Sequence, residues 1–383
     1  MRRHLALSIA VAASLAPSIA RAAEADDLPA GNDPPRLVPI AVIDTYYAYH
    51  DTPPPNREAT FMTTAVRHDE FQVNLAALGV RLEHAKLLGT LVLQAGTSVD
   101  ALYPPRSAAP QLSNPQVWKH IQLASIGYRL GSDVTVEAGV MPSHIGNEGF
   151  VSTKNWNYTR ALISDATPYF VAGAKLTWRA APTWTIAGLV YNGWNTYDDV
   201  NRSKSGGLYV SWAPSETFSI TDSAHVGPGA FGTHALRVYD DLVLKAQLHA
   251  RIAIALEGGY GFDKVAGVAS KNVIATAAWV RWLFTDTTYF SVRGELLYDD
   301  HGIFTGSGQR TLPSDVEGQR LYEGTFTLGW IPHPNFIARV EAMHRLSNNP
   351  YFAAGSVGDS SGASVTNAQT KSTTFVASLA FSY

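Results

Sequence analysis

The stretch T-T-F-V-A-S-L-A-F-S-Y, residues 373–383, alternates large apolar side chains with small or polar ones along its whole length. Successive residues of a β-strand point to opposite faces of the sheet, so Phe375 and Phe381 share one face while Thr374 and Ser378 share the other. A soluble sandwich would bury the large face in its core. A wide membrane barrel would turn the large face to lipid and the small polar face to a water-filled lumen.

Charged residues decide between these two readings. In Thr288–Tyr298, Phe290 and Val292 alternate with Arg293 and Glu295, and two later segments carry acids and arginines in the same phase. Inside a dry core each such charge would need a buried partner, at a cost of several kcal/mol. On the inner face of a wide barrel the charges stay hydrated, so the pattern favours a barrel.

Sixteen segments show this period-two alternation. They are Ile40–Tyr49, Glu70–Leu82, Leu87–Ser98, Val117–Leu130, Val134–Val140, Phe170–Ala180, Trp184–Gly193, Gly206–Trp212, Phe218–Val226, Leu236–Leu248, Ile252–Gly261, Val273–Phe284, Thr288–Tyr298, Gln319–Trp330, Asn335–Arg345 and Thr373–Tyr383. Short connections alternate with long ones, as periplasmic turns alternate with extracellular loops in outer-membrane barrels. We therefore predict an all-β fold, a transmembrane antiparallel β-barrel of about 16 strands.

Some details of these strands are also predicted. A switch of phase near Ala76 and Ala77 predicts a bulge, while Asp222 and Asp240 fall on the lipid-facing phase. Aromatic rings near strand ends are expected to form girdles at the two membrane surfaces. The predicted girdle residues are Tyr46, Tyr47, Trp118, Tyr128, Trp178, Trp184, Trp194, Trp212, Trp282, Trp330 and Tyr383.

The composition of the 383 residues agrees with this fold. Charged residues make up 16% of the chain, against about 25% in soluble domains, and the mean hydropathy is only -0.04. Half-apolar strands produce this balance because their two faces average out. Cysteine is absent, which excludes disulfides and Cys-type metal sites. No metal-binding or cofactor motif is present in the sequence, and no basic patch suggests a nucleic-acid partner.

The N-terminus predicts export. Arg2 and Arg3 precede an apolar stretch that ends in A-R-A, residues 20–22, which is typical of a secretory signal peptide cleaved after Ala22. Cleavage removes three arginines and no acid, so the formal charge changes from -3 to -6. We expect a signal peptide at 1–22, a disordered periplasmic lead-in at 23–39 and the barrel at 40–383.

Several stretches resemble the OmpL-like family of outer-membrane β-barrel porins. They are Asp44–Tyr49, Leu93–Thr97, Glu137–Gly139, Ile145–Gly149, Asn155–Arg160, Thr167–Phe170, Asn192–Trp194, Asn201, Lys204 and Gly227–Pro228. The resemblance implies an outer-membrane barrel with a pore function. It supplies no catalytic residues, since the family has none that are widely shared.

The connection Met141–Tyr169 is the candidate functional segment. A lumen of about 16 strands is wide, so selectivity requires something to narrow it, and a loop folded inward would do so. The predicted pore-constriction and solute-contact residues are Glu148, Lys154 and Arg160 on this loop and Arg281, Arg293, Glu295, Arg339 and Glu341 on the wall. The alternative is that these charges only pair with one another. Trp156 and Tyr158 would either stack on sugar rings or pack the folded loop against the barrel wall.

The sequence thus predicts a Gram-negative outer-membrane porin that is not an enzyme and needs no cofactor. The G-x-S-x-G match at 358–362 lacks the strand–turn–helix context that a catalytic serine needs. Expected partners are outer-membrane lipid, small hydrophilic solutes and the barrel assembly machinery, which would recognise the C-terminal Tyr383. Barrels of this width commonly form homotrimers. The alternative function is a loop-plugged barrel with an adhesion or envelope-structural role.

Overall fold

The computed structural model describes residues 34–52, 57–103, 115–199, 202–229, 236–264, 271–300, 302, 304–305, 318–352 and 368–383. The strands are β1 (Arg36–His50), β2 (Glu70–Glu83), β3 (Leu87–Ala95), β4 (Ile121–Arg129), β5 (Val134–Pro142), β6 (Phe170–Ala181), β7 (Trp184–Tyr191), β8 (Ser205–Ser215), β9 (Phe218–Pro228), β10 (Leu236–His249), β11 (Ile252–Lys264), β12 (Lys271–Leu283), β13 (Thr288–Asp299), β14 (Gln319–His333), β15 (Phe336–Ser347) and β16 (Lys371–Ser382). The described residues also form the short α-helices α1 (Thr97–Leu102), α2 (Pro115–Trp118) and α3 (Leu162–Ala166) and a 3-10 turn at Ser152–Lys154. Within the described ranges, no helix has the length and apolar character needed to cross a membrane.

The sixteen strands form one closed antiparallel barrel in sequence order. Strand β16 closes it by pairing with β15 on one side and β1 on the other, with Leu379 opposite Ala338 and Thr45. Closure leaves no strand edge unpaired, which is the condition for placing a sheet in lipid. The predicted fold class is confirmed.

The connections alternate in length as predicted. Seven turns of two to four residues lie at one end of the barrel, at 84–86, 130–133, 182–183, 216–217, 250–251, 284–287 and 334–335. The other end carries longer connections, such as 51–69, 143–169 and 348–370. The N-terminal strand and Tyr383 meet at the short-turn end, where Ala41 and Tyr383 exchange backbone hydrogen bonds. By analogy with outer-membrane barrels, this end is periplasmic.

The outer surface is apolar and the inner surface polar. Phe375 and Leu379 are more than half exposed, whereas Thr374 and Ser378 are buried. The tryptophans that lie outward close to the short turns form a girdle, and they are Trp178, Trp184, Trp212, Trp282 and Trp330. Two of the predicted girdle positions are wrong, because Tyr46 and Trp194 are buried inside the barrel.

Local details differ from the sequence prediction by a few residues. The bulge lies at Asn74, since Leu75 pairs with Asp44 and Val73 with Thr45. The strand predicted from Val117 begins only at Ile121, because the preceding residues form α2. Strand β1 begins at Arg36, so four residues of the expected lead-in pair with β2. The signal-peptide segment lies outside the described residues.

Candidate functional site

The connection between β5 and β6, residues 143–169, lies inside the barrel. Its second half is almost wholly covered: Tyr158 is 0% exposed and Arg160 and Leu162 are 1% exposed. Ile145 and Ile163 of this loop pack in one apolar cluster with wall residues of β11 and β12. We call residues 143–169 the inner loop.

Acidic side chains of the wall accept the backbone N–H groups of the inner loop. Glu341 of β15 accepts from Tyr158 at 2.6 Å and from Thr159 at 2.9 Å. Glu295 of β13 accepts from the N–H of Leu162 at 2.5 Å. A loop lacks a ladder of its own, so buried N–H groups must find other acceptors. These carboxylates therefore fix the loop backbone against the wall.

Glu148 joins two parts of the inner loop to the wall. Its carboxylate accepts the N–H of Ala161 at 2.7 Å and the indole N–H of Trp279, on β12, at 3.1 Å. Burial raises the pKa of the Glu148 carboxyl, and the nearby guanidinium of Arg293 opposes that shift.

Arg293 of β13 is the centre of a buried ionic network. Its guanidinium binds Glu295 and, at 2.6 Å, Glu323 of β14. It also donates to the carbonyl oxygens of Thr159 at 2.5 Å and Arg160 at 3.1 Å. Arg293 is 0% exposed, so its charge depends entirely on these partners.

Arg160 secures the inner loop internally. Its guanidinium donates to the carbonyl oxygen of Phe150 and to the hydroxyl of Thr63, which belongs to the β1–β2 connection. The same group lies 4.6 Å and 4.7 Å from the ring centres of Phe150 and Tyr169, at cation–π distance. The hydroxyl of Tyr169 donates to Asp165 at 2.6 Å.

Arg339 and Arg281 bind the first half of the inner loop. Arg339 of β15 donates to the carbonyl oxygens of Ser152 at 2.9 Å and Asn155 at 3.2 Å. Arg281 of β12 lies 4.8 Å from the ring of Trp156, which is 8% exposed. The Trp156 ring is therefore covered and offers no open face for a sugar.

Three acids that sequence reasoning did not select also hold the inner loop. Asp241 of β10 and Glu257 of β11 accept the N–H groups of Gly146 at 3.1 Å and Asn147 at 3.3 Å. Asp44 of β1 accepts the hydroxyls of Tyr158 at 3.0 Å and Ser152 at 2.7 Å. All three have the inward phase of their strands. This alternation is the sequence signal by which they could have been selected.

Exposure divides the eight candidate residues. Glu148, Arg160, Arg281, Arg293, Glu295, Arg339 and Glu341 are at most 8% exposed and lie where the inner loop meets the wall or the β1–β2 connection. Lys154 alone is exposed. Most of the charged residues that were expected to line the pore therefore hold the inner loop in place.

Solvent reaches the two sides of the barrel interior unequally. On β13 and β14 the inward Ser291, Thr325 and Thr327 are 0% exposed, because the inner loop covers them. On β3, β4 and β6 the inward Thr90, Ser125 and Thr177 remain partly exposed. We call the half of the inner faces of β1–β7 that lies nearer the short turns the open wall, since the inward side chains of the other half are mostly buried.

The described part of the chain holds no group of three His, Asp or Glu side chains suited to a metal ion. The G-x-S-x-G match at 358–362 lies outside the described residues.

A closed sixteen-stranded barrel with apolar outer and polar inner faces and a loop folded inside defines the porin class of outer-membrane proteins. The chain belongs to the family described as "Putative beta-barrel porin-2, OmpL-like", whose model matches residues 40–383. None of the curated proteins compared with the chain matches it.

Solved structures share the fold at very low identity. OmpT of Vibrio cholerae is 9% identical and has a TM-score of 0.60 over 92% of this chain and 98% of its own. The outer membrane channel DcaP of Acinetobacter baumannii is 8% identical, with a TM-score of 0.56 over 92% and 99%. An anion-selective porin from Comamonas acidovorans is 9% identical, with a TM-score of 0.56 over 91% and 100%.

Proposed function

We propose that the protein is a passive outer-membrane porin for small hydrophilic solutes, with a water-filled lumen narrowed by residues 141–169. The unequal exposure of the interior carries this proposal. The inner loop covers β11–β15, while polar side chains of the open wall remain accessible to water. Solutes would pass between the inner loop and the open wall.

The candidate residues take two roles in this proposal. Glu148, Arg160, Arg281, Arg293, Glu295, Arg339 and Glu341 set the width of the passage indirectly, by holding the inner loop in place. Lys154 contacts solutes directly, since its side chain is exposed. Neither role requires catalysis or a cofactor, and we propose that the protein is not an enzyme.

We further propose export with cleavage after Ala22, followed by insertion in the outer membrane. Tyr383 would present the C-terminal aromatic group to the assembly machinery. Tyr383 is 65% exposed beside the girdle of the short-turn end, where it is accessible to a partner and to lipid.

A homotrimer is the assembly that we propose. OmpT of Vibrio cholerae has been solved in a trimer form. In this chain, a groove of about 930 Å³ crosses the outer faces of β5–β9. Small side chains form its floor, and they are Ala138, Ala174, Gly188, Gly206 and Ala224. Small residues allow close approach of a neighbouring subunit.

Conductance of the purified, folded protein in planar lipid bilayers tests the pore function. We expect stepwise current increases as single pores insert, because the passage is hydrated and needs no trigger. A correctly folded protein that inserts and never conducts would overturn the proposal.

The alternative is a barrel plugged by its loops, with an adhesion or envelope-structural role. The burial of the second half of the inner loop is the observation that favours it. This alternative predicts a closed barrel in bilayers and binding that depends on the extracellular loops.

A further inference from the structure

The open wall is basic below the bulge at Asn74. Between this level and the short turns, the inner faces of β1–β6 carry seven described charged side chains. They are Arg36, Arg81, Glu83, Arg129, Glu137, Lys175 and Arg179. Five of the seven are basic, although the whole chain has a formal charge of -3.

Pairing leaves the positive charge in excess. Glu83 is shared between Arg36 and Arg81, with the Arg81 contact at 2.8 Å. Glu137 pairs with Lys175 at 2.9 Å. One carboxylate that serves two arginines neutralises only one of them.

Arg129 and Arg179 add unneutralised charge near the periplasmic mouth. Arg129 donates to the carbonyl oxygen of His84 at 2.5 Å, a contact that leaves its charge intact. Arg179 is exposed and has no carboxylate partner in the described ranges. The two guanidinium groups are close enough to repel each other.

The inner loop contributes positive charge to the same passage. Lys154 is its one exposed charged side chain, and its ammonium is close enough to Arg81 for their charges to repel. The acids Glu148 and Asp165 of the loop are engaged in hydrogen bonds, Glu148 with Trp279 of the wall and Asp165 with Tyr169 of the loop. Basic groups therefore line the passage from both sides.

The acidic residues of the opposite wall do not offset this charge. Glu295, Glu323 and Glu341 lie beneath the inner loop, bonded to Arg293, Arg345 or loop N–H groups. Screening in salt solution acts over about 8 Å, so an ion responds to the charges that line its path and hardly to the total. A narrow charged passage selects ions through these local groups.

We propose that the pore prefers anions, and that its solutes are small hydrophilic molecules bearing carboxylate or phosphate groups. This inference rests on the pore function proposed above. Six basic side chains and two carboxylates line the passage, so an anion is attracted along its length while a cation is repelled. The acidic total charge of the chain would indicate the opposite preference.

Reversal potentials in a tenfold KCl gradient across planar bilayers test this inference. We expect chloride to permeate several-fold more readily than potassium. The double variant Lys154→Gln/Arg179→Gln is expected to lower the chloride-to-potassium permeability ratio at least twofold, because it removes two of the six basic side chains of the passage. Replacing chloride by acetate or by inorganic phosphate should preserve the anion preference.

The matched control is Lys264→Gln/Lys371→Gln. Both lysines are exposed at extracellular strand ends, away from the passage, so this variant loses the same charge and is expected to keep the wild-type ratio. A conducting pore that prefers potassium, or a ratio that falls equally in both variants, would overturn the anion preference and leave the pore function standing. Folded protein that never conducts would overturn both.

Discussion

Arg293 shows how single residues hold the inner loop. It binds two wall carboxylates, approaches Glu148 within 3.4 Å, and donates to two loop carbonyl oxygens, all without exposure to solvent. Charges buried in this way are stable only with their partners present. The inward-facing charges of this network therefore fix the position of the inner loop.

Arg293→Met should destabilise the protein by about 3–5 kcal/mol, because it leaves neighbouring carboxylates buried without their cation. The measurement is the free energy of unfolding in urea for protein folded into lipid vesicles. Arg179→Met is the control, since Arg179 is exposed and has no carboxylate partner among the described residues, so its loss should cost much less. Equal losses in the two variants would contradict the network's role.

His144, at the start of the inner loop, is expected to make stability depend on pH. Its Nε2 lies 3.0 Å from the carbonyl oxygen of Ala224, while Nδ1 is buried without a partner in the described structure. Burial lowers the pKa of His144 to about 4, with Lys175 contributing. The folded protein thus favours the neutral ring, and this stability is present above pH 6.5 and lost as the pH falls towards 4.

Tm values at pH 7.5 and pH 5 check this expectation. The wild type should lose more stability between these two conditions than His144→Gln, which cannot titrate. His225, Lys175 and Tyr191 are the charged or titratable neighbours and remain in both proteins, so the difference isolates His144. The same pH dependence in both proteins would refute it.

At the scale of elements, the sequence predicted which wall residues would face inward. The period-two phase placed Arg293, Glu295 and Glu341 on the inner face, and the structure agrees. The sequence could not predict their partners, because the contacts span long separations; Glu341 and Thr159 are 182 residues apart. Residues so far apart in the sequence come into contact only because the barrel closes.

Strand β9 carries an acid on the outer face, as predicted. Asp222 lies in the middle of the strand and is exposed outward, close to Asp240 of β10. A carboxylate facing lipid is unfavourable, and a second one nearby adds repulsion. Asp222→Val should therefore stabilise the barrel, by about 1–2 kcal/mol.

Urea unfolding in lipid vesicles measures that gain. Asp240→Val should stabilise the barrel less than Asp222→Val, because Asp240 is nearer the extracellular end of its strand and closer to water. A loss of stability in Asp222→Val would mean that the Asp222 side chain has a partner or a role on the outer face.

At the scale of the whole molecule, alternation and connection lengths were sufficient to predict a closed barrel. They were less informative where the chain leaves the strand pattern. Tyr46 and Trp194 were assigned to girdles because they lie near strand ends, yet Tyr46 has the inward phase and Trp194 belongs to a connection that packs on Tyr239 and Phe304. Such packing depends on contacts between distant segments.

The proposed trimer gives a prediction for the outer surface. Ala174→Trp fills the groove on β5–β9 and should convert trimers to monomers, as measured by native mass spectrometry in detergent. Val280→Trp, on the outer face of β12, is the control and should leave the assembly unchanged. A trimer that persists in Ala174→Trp would place the subunit contact elsewhere.

The most direct measurement is the accessibility of single cysteines on the two inner walls, since the chain has none of its own. Ser125 lies on the open wall and Ser291 beneath the inner loop, where it is 0% exposed. We predict that a membrane-impermeant thiol reagent reacts with Ser125→Cys in the folded protein and reduces its conductance, while Ser291→Cys reacts only after unfolding. Rapid reaction and block at Ser291→Cys, with no effect at Ser125→Cys, would contradict a passage between the inner loop and the open wall.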